Sequence, residues 1–188
     1  MNTVVLNLEP IIHLSDEQFY QLCVVNRDLS LELNATGKLI IVPPVGGESA
    51  NQEADLITDL NIWNRQTKLG KVFSSSTIFK LPSGAKRSPD AAWVKLERWE
   101  ALNLEQRKKF PPLTPDFVIE LRSESDRLKS LQDKMQEYIE NGVRLGWLIN
   151  FQDQQVEIYR QNQPVEVVNI PITLSGEDVL PGYKYFGF

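Results

Sequence analysis

With 188 residues the chain has the length of one domain and room for one sizeable core, so residues 1–188 are expected to fold as a single unit. Its 41% hydrophobic and 24% charged residues are those of an ordinary globular protein. The net charge of −5 excludes a global basic field, so any attraction to nucleic acid or another polyanion has to be local or carried by bound cations.

The opening stretch MNTVVLNLEP has neither a charged n-region nor a long apolar run, and no later stretch approaches the roughly 20 apolar residues of a membrane span. No leader and no anchor are expected, and the setting expected is cytoplasmic. The one histidine, His13, excludes a histidine-rich metal cluster, argues against a His-based triad, and is expected only to precede a helix. That helix lies in HLSDEQFYQLCVVNRD, where Ser15 and Gln18 have capping-box spacing, and runs for about 12 residues. Cys23, alone in the chain, permits no internal disulfide and no thiolate metal site, in keeping with a reducing compartment.

LSLELNATGKLIIVPP is two alternating runs about a glycine turn, which predicts a hairpin. ESANQEADLITDLNIWNRQTKLG predicts a long helix with Gly70 as its stop. KVFSSSTIFKLP and DAAWVKL read as strands, and LERWEALNLEQRKKF as one polar helix broken by PPLTP. DFVIELR is the most apolar strand, and DRLKSLQDKMQEYIENG after it is a helix ended by Gly142. RLGWLIN, QVEIYR and PVEVVNI follow as strands, the last two about the turn QNQP. The order argues for an α/β or α+β domain with a mixed sheet. DFVIELR, helix and RLGWLIN together read as a crossover between two parallel central strands.

Two of these strands carry acids. AKRSPDAAWV and TPDFVIELRS each set a Pro-Asp pair at a strand start, and the second places Glu120 near the strand's end. Burying an unpaired carboxylate is costly, so Asp90 and Glu120 need a cation, a metal ion or exposure to compensate. On the helix that follows, Leu128, Leu131, Met135, Tyr138 and Ile139 form one apolar stripe. Lys129, Asp133, Glu137 and Glu140 are expected on the solvent side, with Gln132 and Lys134 on the borders. A border lysine commonly snorkels to water; crossover geometry also lets Lys134 lean over the sheet towards both acids. Trp93, Trp99 and Trp147 read as core or sheet-facing, with base stacking a further use for Trp99. Arg107, Lys108 and Lys109 read as a solvated helix end, while Lys86 and Arg87, just before SPD, are placed to grip a nucleic-acid backbone.

Together SPD, PDFVIELRS and SLQDKMQEYIENGVRLGWLI resemble the putative restriction endonuclease family of the PD-(D/E)XK phosphodiesterase superfamily. PPVGGES, SSSTIFKLPSGAKRSPDAAWV and TLSGEDVLPGY extend the likeness over nearly the whole chain. The resemblance implies a restriction-endonuclease-like α/β (α+β) core: a mixed central sheet flanked by helices, with an added N-terminal helix and hairpin and C-terminal strands. It implies that Asp90 and Glu120 bind a divalent metal, Mg²⁺ or Mn²⁺, and that a nearby lysine assists the attacking water. The usual lysine slot, two places after the Glu, holds Arg122, which stays protonated and cannot act as a base. The matching lysine is Lys134, moved onto the following helix. Glu124 stands where the family often has a proline. A further acid from the long helix is also implied. The resemblance points to Glu48, where an acid also suits the macrodipole, whereas the periodicity of Ala50, Ile57, Leu60 and Trp63 places Glu53 on the apolar face, where it would pair with a basic neighbour.

These residue types suit phosphodiester hydrolysis. Mg²⁺ takes hard oxygen ligands, one or two of them protein carboxylates, and keeps several waters. It polarises a phosphoryl oxygen and acidifies its bound water, which Lys134 would orient. Gln132 is a second candidate for that water, and Ser88 and Ser123 for phosphate, although surface and turn roles are their commoner use. The expected activity is that of a metal-dependent DNA endonuclease. A homodimer would suit cutting of two strands, but no residue decides it. Two other readings remain: a nuclease scaffold that binds nucleic acid without turnover, favoured by the Arg122 slot, and a metal-free glycosidase-like carboxylate pair, against which Lys134 and the family pattern speak.

Overall fold

The computed structural model describes residues 3–187, so Met1 and Asn2 of the opening stretch lie outside it. The elements are, in chain order, β1 (Val4–Asn7), α1 (Asp16–Val25), β2 (Ser30–Leu33), β3 (Lys38–Val42), α2 (Gly47–Thr67), β4 (Gly70–Ser74), β5 (Phe79–Lys80), β6 (Lys86–Arg87) and β7 (Ala91–Lys95). There follow α3 (Leu96–Glu100), α4 (Leu104–Lys108), β8 (Phe117–Leu121), α5 (Leu128–Glu140), β9 (Leu145–Asn150), β10 (Gln155–Arg160), β11 (Glu166–Asn169), β12 (Leu174–Ser175) and β13 (Lys184–Tyr185).

A six-stranded mixed sheet of order β11-β10-β9-β8-β7-β4 forms the centre. Among the described residues only β8 and β9 run parallel, joined by α5, as the crossover pattern predicts. Alternation along β8 and β9 feeds two cores. Phe117, Ile119, Leu121, Trp147 and Ile149 meet Leu56, Leu60 and Trp63 of α2 on one face. Val118 and Leu148 meet Met135 and Tyr138 of α5 on the other. Each such fully buried side chain contributes about 1.5–3 kcal/mol, so these two helices are fixed by packing rather than by propensity.

A second, five-stranded sheet of order β1-β3-β2-β6-β5 holds the predicted β2–β3 hairpin. Its core is small: Phe19 of α1 packs with Leu31, Leu33 and Leu39. The capping box of α1 forms as spaced, with Ser15 and Gln18 satisfying each other's backbone N–H groups. Because β6 leads straight into β7, this sheet is joined covalently to the strand that follows Asp90.

Four expectations change. KVFSSSTIFKLP is not one strand: a turn after Ser74 parts β4 of the central sheet from β5 of the smaller one. Gly70 does not stop α2; Lys68 caps it in the left-handed region at φ 57°, and Gly70 opens β4. A Cβ at Gly70 would stand 2.3 Å from the Trp93 ring, so glycine serves close strand packing there. The polar helix divides into α3 and α4, because the Asn103 side chain accepts from the Gln106 N–H and restarts the helix. Glu137 is not on the solvent side: it reaches Arg87 and the Ala35 N–H. Among the described residues no helix is long and apolar enough to cross a membrane.

Candidate active site

The register that pairs Ala91 with Ile119 brings Asp90, the residue before β7, level with Glu120. Glu120 points to the α5 face of the sheet, where Leu148 is its partner on β9. Burial of Met135 and Tyr138 turns the neighbouring Lys134 inward, so it does not snorkel to water. Its Nζ lies 2.9 Å from Glu120 Oε1 and 3.0 Å from Oε2, and donates to the Ser88 carbonyl at 3.2 Å. The Tyr138 hydroxyl, one turn along the same helix face, donates to Glu120 Oε1 at 3.0 Å. Asp90 Oδ2 accepts from the Leu121 N–H at 2.7 Å. Glu120 is sealed, while Asp90 is half-buried.

The charges are mutually perturbed. Burial raises the Glu120 carboxyl to about 8; Lys134 opposes this and Asp90 and Glu32 add to it. Burial likewise raises Asp90 to about 6, against Lys134 and the Leu121 N–H, with the Glu53 and Glu32 charges adding to the rise. Burial pushes the Lys134 ammonium down, but Glu120 and Glu32 outweigh it and hold it well above its usual range. The Tyr138 hydroxyl is raised by burial and by the adjacent Glu120.

The helix acids behave differently. Glu48 is exposed, and its side chain has no hydrogen bond or ion pair among the described residues. Glu53 is half-buried, accepts from Ser75 Oγ at 2.6 Å, and contributes to the field felt by Asp90. Among the described residues no basic neighbour pairs with it. Arg122 turns from the acids to Asp153 Oδ2 at 2.7 Å. Gln132 donates to Glu157, not towards Glu120. Ser123 closes a turn onto Asp126, and the Ser88 hydroxyl is spent on the Ser75 and Thr77 carbonyls.

Lys86 and Arg87 do not grip a backbone. They are 3% and 6% exposed; Lys86 pairs with Asp16, and Arg87 with Glu32 and Glu137. Trp99 packs on Phe73 beneath the Arg107 guanidinium, while Lys108 and Lys109 are exposed at the end of α4, the solvated helix end expected, with Lys109 over Tyr20. His13 is bound to Glu9 ahead of α1.

Local patterns could not reveal Glu32. Alternation puts Leu31 and Leu33 in the small core and Glu32 on the opposite face, which ordinarily means solvent. Here that face is covered, and Glu32 is held below the usual carboxylate range because Lys134 and Arg87 overcome its burial. Tyr138, read only as part of the apolar stripe, was also missed as a partner of Glu120; its place four residues after Lys134 on one helix face is the signal that marks it.

A small hard cation fits these donors. Four carboxyl groups (Glu32, Asp90, Glu120 and Glu137) are linked by contact or field to two cations, Arg87 and Lys134, and Glu53 adds its charge at Asp90. Burial is the main cause of the raised Asp90 and Glu120, and neighbouring carboxylates add to it, so a bound cation would favour the ionised forms of both. Among the described residues no three Asp, Glu, His or Cys side chains are drawn together at ligand spacing. Protein ligands would therefore come from the two strand carboxylates, the number Mg²⁺ commonly takes.

A family model described as Uma2, putative restriction endonuclease, matches residues 16–185. Among solved structures, a putative nuclease of DUF820 from Anabaena variabilis is similar to 80% of this chain and 83% of its own, with a TM-score of 0.69 and 19% identity. That likeness shows the fold. No curated protein matches the chain.

Proposed function

Because the chain belongs to the Uma2 family of putative restriction endonucleases, we propose that its Asp90, Glu120 and Lys134 form the centre of a metal-dependent DNA endonuclease. The observation that supports this most directly is the Lys134 ammonium 2.9 Å from a carboxylate that stands level with a second one on the next strand. Mg²⁺ or Mn²⁺ held by Asp90 and Glu120 would supply a polarised phosphoryl oxygen and an acidified water.

The chain's own residues do the rest. Asp90, the more open of the two acids, faces incoming phosphate. Glu120 is aimed by the Tyr138 hydroxyl and Lys134. Lys134 keeps its proton, so it acts as a donor that orients the nucleophile and stabilises developing negative charge, not as a base. Glu53, whose charge reaches Asp90, is the helix acid we place beside the pair in preference to Glu48. Cutting both strands would suit two copies acting together.

The test is incubation of supercoiled plasmid with Mg²⁺ or Mn²⁺. Nicking that EDTA stops is expected, with Asp90→Asn and Lys134→Ala each slower by about 100-fold or more. Retardation of DNA without cutting, metal present, would make the chain a nucleic-acid-binding module. If the DNA is neither retarded nor cut, duplex DNA is excluded as the substrate.

A further inference from the structure

Lys134 belongs to α5, but a group that holds its ammonium comes from the other sheet. Glu32 of β2 is 3% exposed, and each of its oxygens is engaged. Oε1 accepts from Lys134 Nζ at 2.9 Å and from the Ser88 N–H at 2.9 Å. Oε2 accepts from Arg87 Nη1 at 2.9 Å, and Arg87 is itself tied to Glu137 of α5. One sealed carboxylate thus touches the lysine and the backbone two residues ahead of Asp90.

The core of the small sheet does not require this charge. Leu31 and Leu33 supply the packing from the opposite face of β2, and a buried ion pair is at best weakly stabilising. Lysine is a flexible four-carbon stem that gives up rotamer freedom when fixed, so one acceptor on the sheet would leave its head free to swing. Glu32 and the Ser88 carbonyl give Nζ two further acceptors besides Glu120, at 2.9 and 3.2 Å.

We propose that Glu32 is the positioning residue for Lys134, fixing the ammonium over Glu120 and steadying, through the Ser88 N–H, the segment that delivers Asp90. It touches no substrate and acts through the lysine. The inference rests on the reading of Lys134 as the assisting cation, so its test has one arm that needs no activity.

In that arm the metal-free full chain is acetylated with an N-hydroxysuccinimide ester, and the rate at each lysine is read by mass spectrometry. Lys134 is slow in the native chain beside Lys129, whose side chain is 80% exposed. In Glu32→Gln the Lys134 rate rises by about tenfold or more, the loss of one charge-assisted contact, while Lys129 is unchanged. Glu137→Gln, which removes the other partner of Arg87, leaves Lys134 protected. Glu32→Asp keeps the charge but withdraws it by one methylene; it serves if Glu32→Gln does not fold, and the same rise is expected. A folded variant with Lys134 as slow as in the native chain overturns the proposal.

The second arm is kinetic. Glu32→Gln lowers kcat for plasmid nicking with KM little changed, and adds no further loss to Lys134→Ala. Additive losses would make Glu32 merely structural and overturn the proposal. A native chain that never nicks would sink the nuclease reading, while the labelling arm would still decide this one.

Discussion

Arg122 and Lys134 show how a residue's job depends on where its backbone leaves it. Two places after Glu120, a side chain on a continued strand would share that acid's face. β8 ends at Leu121, however, and Arg122 donates its backbone N–H to the Ile149 carbonyl and turns its guanidinium to Asn150 and Asp153. That pair is partly open to solvent and contributes at most about 1 kcal/mol. Arg122→Lys is therefore expected to change plasmid nicking by less than about threefold and stability by less than about 1 kcal/mol. Combined with Lys134→Ala it is expected to restore nothing. A lysine at position 122 that rescued nicking would show that the strand slot still reaches the acids.

The element that matters most is the β8–α5–β9 crossover, and Gly146 sets its spacing. Gly146 pairs with Val118, and a Cβ there would lie 2.5 Å from the Met135 methyl and 3.3 Å from Val118 Cγ2. Met135 is fully buried and has little room to retreat. Gly146→Val is expected to cost about 1–3 kcal/mol in urea unfolding and to lower nicking by lifting the helix that carries Lys134. Unchanged nicking at that stability cost would show that the depth of α5 does not set the reach of Lys134. This crossover was legible because its strands are continuous apolar runs and its helix has one clean stripe. The α1 cap and the β2–β3 hairpin were legible for equally local reasons. β1, β5 and β6 were not: the last two are two residues each, and β1 is exposed along its length, so neither propensity nor alternation marks them. The same limit hid the burial of Glu32, Arg87 and Glu137, whose local patterns read as surface and whose cover comes from elements distant in the chain.

At the scale of the whole molecule the two sheets share one buried charge network, in which Glu32 and Arg87 of the small sheet meet Lys134 and Glu137 of α5. Unpairing any member would strand a buried charge, so residues 1–188 are expected to melt in one transition. The network also sets a pH dependence. Asp90 and Glu120 bind protons more tightly folded, near 6 and 8, than unfolded in the ordinary carboxylate range. Their contribution is therefore full below that range and is lost as pH rises from about 4 towards 8. Glu32 is shifted the opposite way, so its contribution is present above the ordinary range and lost only on stronger acidification. The metal-free chain should thus melt at a lower temperature at pH 8 than at pH 6. Metal binding requires deprotonated carboxylates, so Mn²⁺ should raise the melting temperature more at pH 8 than at pH 5. At a hundredfold excess over its Kd the gain would be about 2.7 kcal/mol. Asp90→Asn should flatten the decline and remove most of the Mn²⁺ shift, because it deletes both the repulsion and a ligand. Calorimetry across this pH range decides the matter: a metal-free chain that grows more stable from pH 6 to 8 would mean the two strand acids are already neutralised by Lys134 and Arg87, with no excess charge left for a cation to balance.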